Sequence, residues 1–391
     1  MNSMRGAELA RHWGLDPEVV FLNHGSFGAC PTAVLEHQAE LRRRLEAEPV
    51  RFFVREYQDL LDAARAEVAV FLGADADGLA FVANATTGVN AALRALDLRP
   101  GDQLVITDHE YPACRHAAHQ IAAERGFEVV TASVPFPIVS EDDAVEAVVG
   151  SFGPATRALL VDHVTSQTAL VLPVARIARA ARERGIRVVV DGAHAPGMLD
   201  LDLASLGVDA WTGNCHKWLC APKGAGVLWV APQLRERVRP LAISHGAATA
   251  PPERYHAEFD WTGTGDPTAW LSVPEAIRVV GAMVPGGWPE VRRRNHTLAL
   301  TARDVLCGAL GLDPPAPDAM LGSMASLPLP DGVPDPPPID PLQDRLWHDH
   351  RIEVPVIAWP RPPRRLLRVS AQLYNTPGQY ELLADALRDA V

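Results

Sequence analysis

The chain has 391 residues, 48% of them hydrophobic and 21% charged, with a formal net charge of −12. That length exceeds one simple core and suits a large domain with a smaller one attached. The acidic balance excludes nucleic acid or an anionic membrane as the principal partner, since both demand a basic face. No apolar run is long enough to span a bilayer. Met1 to Pro17 is interrupted by Arg5, Glu8, Arg11 and Asp16 and lacks the apolar core of a signal peptide. The five cysteines are scattered without a C-x-x-C pair, which suits a reducing cytoplasm better than a disulfide framework.

From Leu79 to Val230 short apolar runs alternate with helical ones. Strands are expected at Leu79–Ala83, Gln103–Thr107, Glu128–Ala132, Ala158–Asp162, Arg187–Asp191 and Ala225–Val230, with a further strand-like run just before Lys217. Helices are expected over Thr87–Leu96, Ala113–Arg125 and Val174–Arg184. This alternation predicts an α/β fold with a mostly parallel sheet, whose ligands gather outside the carboxyl ends of the strands. After Pro285 the composition changes. An Arg-rich helix is expected at Val291–Leu306, a Pro-rich connection from Pro314 to Pro341 contains strand-like Met324–Leu329, and then come helix Pro341–His350, strands Val354–Trp359 and Leu366–Val369, and a closing helix Thr376–Val391. The division is therefore an N-terminal arm over residues 1–20 that joins the smaller domain, a large domain over 21–284, and a small α+β domain over 285–391.

Of the 36 basic residues 34 are arginine, and the two lysines, Lys217 and Lys223, share the single stretch HKWLCAPKGAG. Arginine replaces lysine well as surface charge. It does not replace a neutral amine that attacks a carbonyl, because guanidinium stays protonated while a desolvated ammonium can lose its proton. Upstream, VVVDGAHAPG ends a buried strand on Asp191, a carboxylate that is costly to bury without a cationic or hydrogen-bonding partner. A protonated pyridine nitrogen is one such partner; a loop cap, a metal or a ribose are others. The run Phe81 to Gly88 puts small residues and hydroxyls where a strand turns into a helix, which suits a phosphate and equally suits ordinary capping by Asn84 or Thr86. In DHEYPACRHAAH the residues His109, Cys114, His116 and His119 match no compact zinc spacing, so no metal is expected. Tyr111, just past a strand, offers a flat surface to an aromatic ring.

The stretches LNHGSFGACP, AEPVRFFVRE, NATTGVN, DHEYPA, VVDGAHAPGMLDLDLASLGVDAW, GNCHKWLCAPKGAGVL, MLGSMASLPLP and LRVSAQLYNT resemble the class V aminotransferase superfamily of fold-type I pyridoxal-phosphate enzymes. Within it the likeness is to the isopenicillin N epimerase-like group. The resemblance runs from Phe21 to the C-terminus and implies pyridoxal 5'-phosphate as cofactor, an amino acid as substrate and a homodimer with shared active sites. It implies that Lys217 forms the imine, Asp191 partners the pyridine nitrogen, His194 lies near the phenolic oxygen and Tyr111 stacks on the ring. Ala85 and Thr86 match the phosphate cup, helped by Thr212 or Asn214, with His216 beside the lysine and Thr264 reaching the neighbouring subunit's phosphate. Arg368 resembles the arginine that forks onto the substrate carboxylate, and Asn23, His24 and Gly25 the segment that closes over the substrate. This superfamily houses epimerases, transaminases and C–S lyases. Epimerisation needs a second acid, for which Tyr111 and His24 are the candidates. A desulfurase of the type that carries a loop cysteine is disfavoured, because Met320–Leu329 has none and Cys307 falls in a helix. A nicotinamide dehydrogenase suits the sheet pattern, but no G-x-G-x-x-G follows the early strands. A binding protein that keeps the fold without turnover is the other alternative.

Overall fold

The computed structural model describes residues 7–388, so the first six residues of the expected arm and the last three of the expected closing helix lie outside the described residues. Seven strands form the principal sheet: β1 (Leu79–Val82), β2 (Gln103–Thr107), β3 (Glu128–Ala132), β4 (Thr156–Asp162), β5 (Arg187–Asp191), β6 (Ala210–Asn214) and β7 (Gly226–Val230). Their spatial order is β1-β7-β6-β5-β4-β2-β3, and β7 alone runs against its neighbours. The chain thus has the expected α/β architecture with a mostly parallel seven-stranded sheet. Alternation along each strand feeds two cores. On β5, Val188 and Val190 join Val105, Val161 and Trp211 on one face, while Val189 joins Leu104, Ile106, Leu160 and Leu228 on the other. Strands covered on both faces need apolar residues at nearly every position, which is why they read as runs in the sequence.

Strand β6 was only partly legible. Its sequence Ala-Trp-Thr-Gly-Asn ends in two turn formers, yet all five residues are buried and paired with β7, the first three also with β5. Burial and cross-strand pairing override local propensity. Helices α1 (Ala85–Ala95) and α2 (Pro112–Arg125) begin two residues and one residue earlier than expected, because Asn84 caps the first through its side chain and Pro112 occupies the opening turn of the second. Two long helices, Thr32–Ala47 and Tyr57–Leu72, precede the first strand assigned from the sequence and were not assigned. The buried face of the second, Leu61, Val68 and Leu72, has the helical spacing that could have revealed it.

Beyond the sheet lie α3 (Gly287–Leu310), the antiparallel strands β8 (Met324–Leu329), β9 (Val356–Ala358) and β10 (Arg365–Ser370) in the order β9-β10-β8, and α4 (Pro377–Arg388). The expected strand Val354–Trp359 is divided. Pro355 has no N–H to give, so Ile352–Glu353 pairs with Val20–Phe21 while β9 pairs with β10. Pro328 is accommodated because β8 is an edge strand. The Val20–Phe21 pairing, and Trp13 packed edge-on against Tyr374 with ring centres 5.1 Å apart, fasten the N-terminal arm to the C-terminal third. No helix among the described residues is long and apolar enough to cross a membrane.

Candidate active site

Parallel strands send their carboxyl ends to one edge, and the residues singled out above follow those ends. Asp191 closes β5 in a buried position. Its Oδ1 accepts the Ala193 N–H at 2.9 Å and its Oδ2 accepts the Cys114 thiol at 3.1 Å. Among the described residues no cation forms an ion pair with it. Burial pushes its pKa up, and the Cys114 and Ala193 bonds and the charge of Lys217 pull it only part of the way back. A cationic ring nitrogen is the kind of partner this carboxylate lacks.

Lys217 lies just past β6, with its Nζ 3.2 Å from His194 Nε2. The tautomer of His194 settles the charge of that amine. The indole N–H of Trp218 donates to His194 Nδ1 at 3.3 Å, and an indole can only donate. The imidazole proton is therefore on Nε2, where it can bond only to a lysine nitrogen that has a free lone pair. The electrostatics agree: burial, and then the nearby Arg368 charge, lower the Lys217 pKa to about 7. Unfolded chains keep this proton to about 10.5, so between pH 7 and 10.5 the unfolded state binds more protons and Lys217's contribution to stability rises with pH. The rate at which the apoenzyme forms its adduct with pyridoxal phosphate should accordingly have a midpoint near 7, an ordinary lysine's lying at 10.5. Trp218→Phe frees Nδ1 to carry the proton and lets Nε2 accept from an ammonium. The midpoint should then move up toward 10.5; an unmoved midpoint would detach the indole from the tautomer.

Arg368 on β10 stands out among buried cations. Arg65, Arg303 and Arg368 are the buried arginines of the described residues. Arg65 pairs with Asp260 at 2.5 Å and Arg303 with Asp318 at 2.6 Å, whereas Arg368 has no carboxylate partner. Its Nη1 donates to Ser166 O at 2.7 Å and its Nη2 to Ser26 Oγ at 2.9 Å, while its Nε is buried with no partner. Burial lowers its pKa to about 10, offset only by Tyr111. Leaving a guanidinium buried without an anion costs several kcal/mol, on the order of the penalty for breaking a buried ion pair, and an anion supplied from outside would offset that cost. Asn23 Oδ1 lies 3.5 Å from Nη2 and accepts from Ser26 Oγ at 2.5 Å. Ser26 and Ser166 were not singled out from the sequence, although Ser26 lies inside the LNHGSFGACP stretch.

The other expected residues divide. The first turn of α1 meets β6 where Ala85 N–H donates to Asn214 Oδ1 at 2.8 Å. That close approach depends on Gly88, since a Cβ there would stand 2.1 Å from Thr212 Oγ1. Thr86 follows in the same turn. Thr212 is corrected: its hydroxyl donates to Val227 O at 2.8 Å inside the sheet and is not offered to a phosphate. His216, half-buried, bonds through Nδ1 with Ala225 O at 3.0 Å, which leaves Nε2 for a ligand. His24 is corrected as a candidate second acid. Its ring is wholly buried, with Nδ1 on Tyr374 Oη at 2.8 Å and Nε2 on the Lys217 carbonyl at 3.0 Å, and burial lowers its pKa to about 3. It braces the lysine's main chain, and the one proton of its neutral ring is donated from Nε2 to the Lys217 carbonyl. Gly25 packs under the small sheet, its N–H bonded to Ser370 Oγ at 3.0 Å. Tyr111, the N-cap residue of α2, is 41% exposed, and Thr264 lies on an exposed loop with no hydrogen bond to any of these residues. His116 and His119 point to solvent and His109 is buried with both ring nitrogens engaged, whereas Cys114 faces inward.

The model of the family described as aminotransferase class-V matches residues 21–314. The isopenicillin N epimerase of Amycolatopsis lactamdurans is 38% identical over 96% of each chain. The chain belongs to the aminotransferase class-V family. It is a pyridoxal-phosphate-dependent enzyme of the epimerase-like group, with C–S lyase relatives. A probable L-cysteine desulfhydrase of Arabidopsis thaliana is 29% identical over 98% of this chain and 85% of its own. A solved structure titled as a C-DES mutant with glycine covalently linked to the PLP cofactor shares the fold, with a TM-score of 0.79 at 23% identity over 95% of this chain and 96% of that one. The residues present fit the cofactor: an uncompensated buried acid, a neutral amine and a helix start opened by Gly88 stand on one sheet edge.

Proposed function

We propose that this enzyme inverts the α-carbon of an amino acid; the uncompensated guanidinium of Arg368 near the neutral amine of Lys217 supports proton removal from a bound amino acid, and the likeness to the epimerase supports inversion as its outcome. Arg368 receives the substrate carboxylate through its fork of N–H donors, and Ser26, Ser166 and Asn23 hold that fork in place. The bound cofactor supplies an aldehyde that condenses with amines and a ring that accepts the electron pair left at the α-carbon. Asp191 keeps the ring nitrogen protonated, and His194 keeps Lys217 uncharged until the amine takes the α-proton from one face. Tyr111, exposed at the mouth and close to Arg368, offers its ring for stacking and its hydroxyl as the acid for the opposite face. Ala85, Thr86, Asn214 and His216 form the phosphate seat.

The preference for inversion over C–S cleavage rests on the higher identity to the epimerase, 38% against 29% for the desulfhydrase. Thr264, exposed and detached from its own chain's site, supports a homodimer in which it completes the partner's phosphate seat. All five cysteines are buried and unpaired, which supports a reducing cytoplasm as the compartment. The arm with residues 285–391 is taken as the small domain over the sheet domain. Incubating the holoenzyme with L-amino acids in D2O should give D-product labelled at the α-carbon without pyruvate or sulfide. Release of pyruvate with no inversion would assign the site to β-elimination.

A further inference from the structure

Behind Asp191 lies a feature that neither the proposed reaction nor the family likeness uses. Glu110, on the turn after β2, and Asp162, the last residue of β4, are both buried. Asp162 stands directly beside Asp191 in the β4–β5 register, and the ligand atoms of Glu110, Cys114 and Asp191 lie within 4.8 Å of one another. Three buried acids therefore crowd together at the carboxyl ends of β4 and β5. Written as carboxylates, both oxygens of Glu110 and Oδ2 of Asp162 are buried without a well-formed hydrogen bond, the nearby Tyr111 N–H being the one main-chain donor that favours the Glu110 anion. Both side chains lie against Asp191, Asp162 through the strand register and Glu110 within 4.8 Å, and this places them near enough to each other to interact as a hydrogen-bonded pair. Two acceptor groups meet in that way only when one carries a proton. Burial, followed by the charges of the neighbouring acids, drives both groups toward the protonated form, as expected for like charges in a dry site. The remaining titratable neighbours are Cys114, whose thiol is a donor to Asp191 and is held protonated by burial, Lys217, and Arg115, whose guanidinium bonds to the main-chain carbonyls of Asp108 and Glu110.

We infer that Glu110 and Asp162 are positioning residues, a carboxyl pair sharing a single proton whose one net negative charge backs Asp191 and helps hold the cofactor's ring nitrogen protonated. This rests on the reading of Asp191 as the partner of that nitrogen. A second negative charge behind Asp191 would raise the proton affinity of a ring nitrogen paired with that carboxylate, so a bound ring would stay an electron acceptor at higher pH than Asp191 alone would allow. The single proton spares the fold the repulsion of three buried carboxylates.

Counting charge gives a test that separates the proton states. Glu110→Gln and Asp162→Asn each replace a carboxyl by an amide that donates to the remaining carboxylate, so each single variant mimics the shared-proton pair and keeps its charge. The double variant removes that charge. Holoenzyme reconstituted with pyridoxal phosphate labelled with 15N in the ring should show the same pH midpoint for ring deprotonation in the wild type and both single variants, and a midpoint lower by on the order of one pH unit in the double variant. A shift in either single variant would mean that both acids are ionised, and an unshifted double variant would mean that neither is or that the pair is not felt at the ring. Either result overturns the inference. Infrared difference spectra provide a second reading independent of cofactor. The wild type should show a protonated-carboxyl stretch that each single variant lacks, and its absence from the wild type would also overturn the pair. Added zinc should leave that band in place; its loss on zinc binding would mark Glu110, Cys114 and Asp191 as a metal site instead. Asp191→Asn tests the underlying reading separately, because it should lower the ring midpoint while leaving the carboxyl band intact.

Discussion

Lys217→Ala should abolish the adduct that borohydride traps between enzyme and cofactor and lower turnover by roughly 10²–10⁴-fold, the range expected for removal of a positioned acid–base group. The expectation follows from scarcity and environment together. Lys223, the other lysine, donates to Gly28 O at 3.0 Å and is committed to the main chain, so it cannot substitute. Mass spectrometry of the borohydride-treated variant decides the matter: a cofactor-sized increment surviving in Lys217→Ala would remove this residue from the chemistry. Pyridoxal phosphate should still bind the variant non-covalently, because Asp191 and the start of α1 do not depend on the amine.

Arg368→Leu should weaken substrate binding by about 3 kcal/mol, roughly a hundredfold, while leaving cofactor content unchanged. Its effect on the fold should have the opposite sign. The wild-type guanidinium is buried with its Nε unpaired and no carboxylate nearby, so an apolar replacement of similar bulk relieves a desolvation cost. Thermal unfolding of the substrate-free variant should be at or above the wild-type midpoint. Equal substrate affinity in the two proteins, or a marked fall in stability, would place Arg368 in the framework and not at the carboxylate. Arg65 is the contrast: with Asp260 left unpaired, Arg65→Leu should cost several kcal/mol of stability.

Much of the site was legible because its chemistry is confined to rare residue choices. Two lysines in an arginine-rich chain, and an acid closing an apolar strand, were visible without coordinates. The strands were legible for the same reason they are stable: a strand buried on both faces must be apolar along its length. Thr212 illustrates the limit. Its position beside the lysine motif suggested a phosphate ligand, but the pleat of β6 turns its hydroxyl into the sheet, where Val227 O takes it. His24 is similar, since a histidine in a closing segment looks like an acid until burial keeps the ring neutral and its one N–H is committed to the Lys217 carbonyl.

Composition and pattern by themselves determined the α/β class and singled out Lys217 and the strand-end acid Asp191, because each depends on residue type and local period. Protonation and pairing were decided only by the tertiary structure. Whether Lys217 is neutral depends on Trp218 and His194 brought against it, whether Arg368 has an anion depends on what surrounds it, and whether Glu110 and Asp162 share a proton depends on two strand ends meeting. Charge state is a property of neighbours and solvent, and residues far apart in the chain become neighbours only on folding.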